Sequence, residues 1–81
     1  MSITIENLMQ DVVFGSEMKA REIAAKIGKR YPTLLRELNP ADIGAKLGLS
    51  TAYHIMKITG NVKPLEFMAS ELGYRLEKKE S

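Results

Sequence analysis

The sequence predicts an all-α fold, a compact bundle of about five short helices with a helix-turn-helix among them. Three observations carry that expectation. Apolar residues recur at helical spacing in separate segments, most of them closed by a glycine or opened by a proline. With 44% apolar residues, 6% aromatic residues and no Trp, the core has to come from Leu, Ile, Met and Ala, which suit packed helices better than a sheet. At 81 residues the chain is one domain; a chain of this size buries about 60 to 65% of the surface it exposes when unfolded.

Ile5, Leu8, Met9 and Val12 repeat at i, i+3, i+4 and i+7, so a first helix is expected from Thr4 to Phe14, capped by Ser2 or Thr4 and stopped at Gly15. Ser16 can cap the next helix, although Lys19 stands where a capping box wants Glu or Gln, so the second helix is expected to start between Glu17 and Ala20. Ile23, Ala24 and Ile27 form its apolar stripe, and Gly28 ends it. Pro32 then starts a third helix, Tyr31 to Leu38, in which Leu34, Leu35 and Leu38 have helical spacing. Asn39-Pro40 forces the chain out of helical geometry, because a residue before proline is pushed toward extended conformations.

Between Ala41 and Leu49 the pattern is broken by Gly44 and Gly48. The segment Asp42 to Gly48 echoes Glu22 to Gly28, but no proline start or basic cluster comes after it. A loop or short turn is expected there instead, with Leu47 and Leu49 tucked under the body. Ser50 is expected to cap a fourth helix, Thr51 to Thr59, which buries Ala52, Ile55 and Met56 and stops at Gly60. Pro64 opens a fifth, Lys63 to Leu72, with Leu65, Met68, Ala69 and Leu72 on one face and Gly73 as terminator. Tyr74, Arg75 and Leu76 alternate and suggest a short extended arm, and residues 77–81 a flexible C-terminal tail, so that residues 1–76 form the domain.

Composition narrows the function. No Cys is present, which excludes a disulfide framework and a thiolate metal site. No apolar run approaches the roughly 20 residues of a membrane span, and no basic segment followed by an apolar one opens the chain, so a soluble, cytoplasmic protein with no membrane partner is expected. His54 is the only histidine and has no Cys or paired carboxylate at ligand spacing; it reads as a surface residue. No phosphate-binding glycine loop, nucleophile elbow or carboxylate pair occurs, so neither catalysis nor a cofactor is expected.

Charge does point somewhere. From Ser16 to Asn39 six cations stand against three anions, while the rest of the chain has six against seven. A basic helical pair on a nearly neutral body is the footprint of a duplex-binding surface, or else an ordinary solvated face.

The run Tyr31 to Pro40 (YPTLLRELNP), with Thr59 to Tyr74 (TGNVKPLEFMASELGY), resembles the phage regulatory protein CII family, small transcription regulators of temperate phages and prophages. The resemblance covers Glu22 to Leu76. It implies a lambda-repressor-like DNA-binding fold, oligomeric binding to repeated operator half-sites and control of lysogeny. Where relatives often carry a Pro-His pair after Asn-Pro, this chain has Asp42-Ile43-Gly44, so any loop contact made there does not carry over. On this resemblance the chain is expected to lack the extra C-terminal residues that longer members could use to assemble.

In helix-turn-helix docking the N-terminal part of the second helix meets base edges while flanking groups hold phosphates. The expected base contacts are therefore Arg30, Tyr31, Thr33 and Arg36, with Arg36 foremost because a guanidinium can bond guanine O6 and N7 together. The bland alternative for Arg36 is pairing with Glu37 or solvent, and for Tyr31 packing over the turn. The expected phosphate contacts are Ser16, Lys19, Lys26, Lys29 and Asn39, although an Asn before Pro is often a turn residue. Phe67 is expected to point away from the apolar stripe of its helix and, with Tyr74 and Leu76, to form an oligomer interface. Double-stranded DNA, further copies of the chain as a homodimer or higher oligomer, and RNA polymerase are the expected partners. Two alternatives stay open: a non-specific nucleic-acid binder, and a protein-interaction module, antitoxin-like or an antirepressor adaptor, using the basic hairpin and the Phe67 face.

Overall fold

A computed structural model describes residues 3–79. Five helices succeed one another: α1 (Ile5–Phe14), α2 (Ala20–Lys26), α3 (Tyr31–Leu38), α4 (Leu49–Thr59) and α5 (Lys63–Glu71). No strand occurs among the described residues, and the Tyr74–Leu76 arm is irregular.

α1 is the element the others pack around, touching α2, α3, α4 and α5. Its Met9, Val12 and Val13 meet Ile23 and Ala24 of α2, Leu34 and Leu38 of α3, and Ala52, Ile55 and Met56 of α4 in a single apolar core. No polar or charged residue is buried in that core among the described residues. The start of α1 is fixed by Thr4, whose Oγ1 accepts the Asn7 N–H at 3.0 Å; Ser2, the other expected cap, lies outside the described residues.

Four local expectations are corrected. The Ser16 hydroxyl accepts the Met18 N–H inside the connection and does not cap α2, which begins within the expected range, at Ala20, with Lys19 as an N-cap that offers no side-chain hydrogen bond. α4 starts at Leu49 with Gly48 as its N-cap, so Ser50 lies within the first turn and caps nothing. That earlier start puts Leu49 one turn before Tyr53 on the outer face, and Leu49 is 78% exposed instead of tucked under the body.

The fourth correction concerns α5. Pro64 is buried and Phe67 and Met68 are half-buried, while Leu65 is 41% exposed and Leu72, at the C-cap beyond the last turn, is exposed. The inward face is therefore Pro64, Phe67 and Met68 at i, i+3 and i+4. A phenyl ring removes more apolar area from water than a leucine, and the helix is rotated to favour it. Phe67 is thus not the outward-pointing ring expected from the sequence.

Candidate nucleic-acid interface

The basic segment forms two short helices joined by a tight connection. α2 ends in a Schellman arrangement: the Gly28 N–H donates to the Ala25 carbonyl and the Lys29 N–H to the Ala24 carbonyl, with Gly28 at φ +75°. A residue with a Cβ resists that backbone, and glycine takes it freely. Arg30 is the N-cap of α3, and Pro32 lies in its first turn, where its missing N–H costs nothing. At the other end the Gln10 amide of α1 donates to the Leu38 carbonyl at 2.8 Å, satisfying an orphan acceptor and tying α3 to the central helix.

With Leu34 and Leu38 buried, the outward edge of α3 presents Arg30, Thr33 and Arg36, all exposed. Tyr31 packs against the core instead, half-buried, with the Arg21 guanidinium 4.4 Å over its ring. Lys19 at the N-cap of α2, and Arg21 and Lys26 on the helix, are exposed and enter no ion pair among the described residues, as is also true of Arg30.

Three of the expected phosphate contacts are held by the protein itself. Lys29 Nζ donates to Glu37 Oε2 at 3.0 Å, linking the turn to the far half of α3. The Ser16 hydroxyl serves its own turn, and the Asn39 side chain accepts the Ala41 N–H. Tyr74 and Leu76, placed in an oligomer interface from sequence, are both exposed beyond α5.

Arg36 Nε donates to Asp42 Oδ2 at 3.0 Å, and Asp42 Oδ1 accepts the Gly44 N–H at 3.0 Å. The Arg36 hydrogen bond, and next the Gly44 N–H, hold the Asp42 carboxyl below its usual range. The partner of Arg36 is therefore the loop after α3, not Glu37. Sequence reasoning missed Asp42, Gly44, Arg21 and Glu37 as members of this surface. Only Asp42 carried a signal, an Asp two residues before a Gly in a loop, which marks a side chain able to accept its own downstream N–H.

His54 is exposed on α4, with Nδ1 2.8 Å from the Ser50 carbonyl oxygen. Among the described residues no group of His, Cys, Asp and Glu is arranged to hold a metal, and no helix is long and apolar enough to cross a membrane.

Fold and surface together define an all-helical domain that displays a short helix with a basic outer edge. The chain belongs to the phage regulatory protein CII (CP76) family, whose model matches residues 4–81, nearly the whole chain. No curated protein and no solved structure matches it. Membership makes it a phage-type regulatory protein, in agreement with the resemblance carried by the Tyr31 to Pro40 run.

Proposed function

We propose that this protein is a sequence-specific double-stranded DNA-binding transcription regulator that lays α3 in the major groove. The observation that carries the reading is the division of α3: Leu34 and Leu38 are buried while Arg30, Thr33 and Arg36 form an exposed edge, on a unit whose neighbouring surface bears Lys19, Arg21 and Lys26. Family membership supports it. Arg36 and Thr33 read base edges, Arg30 reaches a base or phosphate at the helix start, and Tyr31 contributes its hydroxyl from a ring anchored under Arg21. Lys19 and Lys26 are the principal phosphate contacts, with Lys29, Ser16 and Asn39 contributing from their engaged positions.

A single eight-residue reading helix offers few base contacts, so the protein binds as a homodimer or higher oligomer with half-sites one turn apart. Tyr53, Val62 and Leu65 are exposed around a shallow apolar groove of about 300 Å³ between α4 and the start of α5, and Leu76 lies beside it. This surface, with Tyr74, receives the second copy; Phe67 contributes only the part of its ring that α5 leaves open. Action on DNA places the protein in the cytoplasm, within reach of RNA polymerase.

The test is selection of bound fragments from genomic DNA, followed by footprinting and a salt titration. A regulator of this kind retains one preferred site whose affinity falls steeply with salt; a non-specific binder shows the salt dependence without the site, and a protein adaptor shows neither. Arg36→Ala is expected to flatten discrimination at one base pair of each half-site. If this variant selects the same site as sharply as the parent, Arg36 is not a reading residue.

A further inference from the structure

We propose that Asp42 is a positioning residue for Arg36, holding its guanidinium so that α3 reads a base with the Nη1/Nη2 end. The inference rests on the reading of α3 as the recognition helix. A guanidinium offers two edges with a parallel pair of N–H donors, the Nε/Nη2 side and the Nη1/Nη2 end. Asp42 occupies the first by accepting from Nε, and no other hydrogen bond engages the Arg36 side chain among the described residues. The free end still presents two parallel donors to the O6 and N7 acceptors of guanine.

The carboxylate is fixed independently of Arg36. The Asp42 N–H donates to the Asn39 carbonyl at 3.0 Å, and its Oδ1 is held by the Gly44 N–H. Asn39 is itself locked by the Ala41 N–H. The loop thus presents Oδ2 to α3 as a built acceptor. Gly44 completes the seat: its backbone is not in the left-handed region, but a Cβ there would stand 3.2 Å from Arg36 Nη2 and 3.4 Å from Asp42 Oδ1. Glycine at this position supplies room, not conformational freedom.

Arg36 is 60% exposed, and ion pairs at such sites contribute little to folding. What the pair changes is the number of rotamers the arginine must give up on binding, which a side chain held beforehand has already lost. It also places a negative charge near the duplex, which disfavours every phosphate alike.

These two effects separate in one experiment on the full chain, once a preferred site is in hand. Affinities for that site, for each single-base-pair substitution in it and for an unrelated duplex are measured at one salt concentration with the parent, Arg36→Ala, Asp42→Asn, Gly44→Ala and the Arg36→Ala/Asp42→Asn double variant. Asp42→Asn is expected to lose about threefold to tenfold of the preference at the same base pair that Arg36→Ala flattens, within the range one such bidentate contact supplies. Its binding to the unrelated duplex is expected to hold or rise, and the double variant to discriminate no worse than Arg36→Ala. Gly44→Ala, which keeps the carboxylate and crowds Nη2, is expected to weaken preference at that base pair alone.

Sharper preference in Asp42→Asn would mean that the carboxylate competes with DNA for Arg36 and would overturn the proposal. So would unchanged preference, or an equal loss at every position together with a lower melting temperature. If Arg36→Ala keeps full preference, the assignment of Arg36 fails before that of Asp42. If the parent protein selects no site at all, the reading of α3 fails and the proposal with it.

Discussion

Replacing Lys29 by Ala tests whether the turn and α3 are fastened together by charge. The Glu37 side chain is only 11% exposed; its Oε2 takes the Lys29 ammonium at 3.0 Å, and its Oε1 is buried with no hydrogen-bond partner among the described residues. Lys29→Ala therefore leaves a carboxylate, nearly nine-tenths covered, without the Lys29 ammonium that pairs with it. Removing one member of a fully buried pair costs about 3 to 5 kcal/mol. Lys29 is 28% exposed, so water screens the cation and can reach the vacated space; about 1 to 3 kcal/mol is expected.

Total stability for a domain of 81 residues is about 4 to 12 kcal/mol, so this is a large share. A loss of about 2 kcal/mol lowers the melting midpoint by about 8 to 16 °C for a domain of this length. Urea and thermal denaturation tracked by the helical circular-dichroism signal measure it, with Lys26→Ala, an exposed cation in no ion pair among the described residues, as the control within about 0.5 kcal/mol of the parent. Adding Glu37→Gln to Lys29→Ala removes the stranded charge and is expected to restore at least half of the loss. A Lys29→Ala loss under about 0.5 kcal/mol refutes the reasoning, because the pair would then behave like any solvated one. The result also governs DNA measurements: weakened binding by Lys29→Ala reports a phosphate contact only at a temperature where the variant is fully folded.

Three further outcomes are expected. In an NMR titration the Asp42 carboxyl loses its charge below the ordinary aspartate midpoint of about 3.9, and Arg36→Ala moves it back up; because the folded-state pKa is the depressed one, the stabilisation is present above about pH 4 and disappears as pH falls through the folded value. Gly60→Ala is expected to cost about 1 to 2 kcal/mol in urea denaturation: Gly60 has φ +71°, and an added Cβ meets nothing within 4 Å, so the whole cost is conformational. Leu65→Ser with Tyr53→Ser is expected to shift the protein toward monomer in sedimentation while the helical circular-dichroism signal at about 25 °C stays that of the folded parent, since neither side chain belongs to the core.

The ends of the helices are written in residues whose backbone behaviour is local. Pro32 and Asn39-Pro40 bracket α3, and the expected span Tyr31 to Leu38 is the span observed. Gly28, Gly60 and Gly73 all take positive φ where a stop was expected. The rotation of a helix about its axis is a different matter, because two faces of α5 carry apolar residues at acceptable spacing. Leu65, Met68, Ala69 and Leu72 make one stripe; Pro64, Phe67 and Met68 make the other, and only the packing against α1 chooses between them. Periodicity ranks faces by count, whereas packing ranks them by the area they remove from water.

Side-chain partnerships lie further still from periodicity. Arg36 meets Asp42, Lys29 meets Glu37 and Arg21 meets Tyr31, at separations of six, eight and ten residues, none of them the i+3 or i+4 of a single helix. Arg36 and Glu37 are adjacent in sequence, yet neighbouring residues on a helix diverge by about 100°. Glu37 turns inward to the Lys29 ammonium and Arg36 outward to the loop. On the proposed reading of α3, that divergence has a consequence for its outer edge. Its acidic residue is paired with Lys29 on the inner side and would be withdrawn from a duplex, while Asp42 on the outer side engages Arg36 only through Nε. If Glu37 instead turned outward beside Arg36, the proposed reading edge would carry a second carboxylate next to that of Asp42, and a phosphate backbone would meet that much more negative charge.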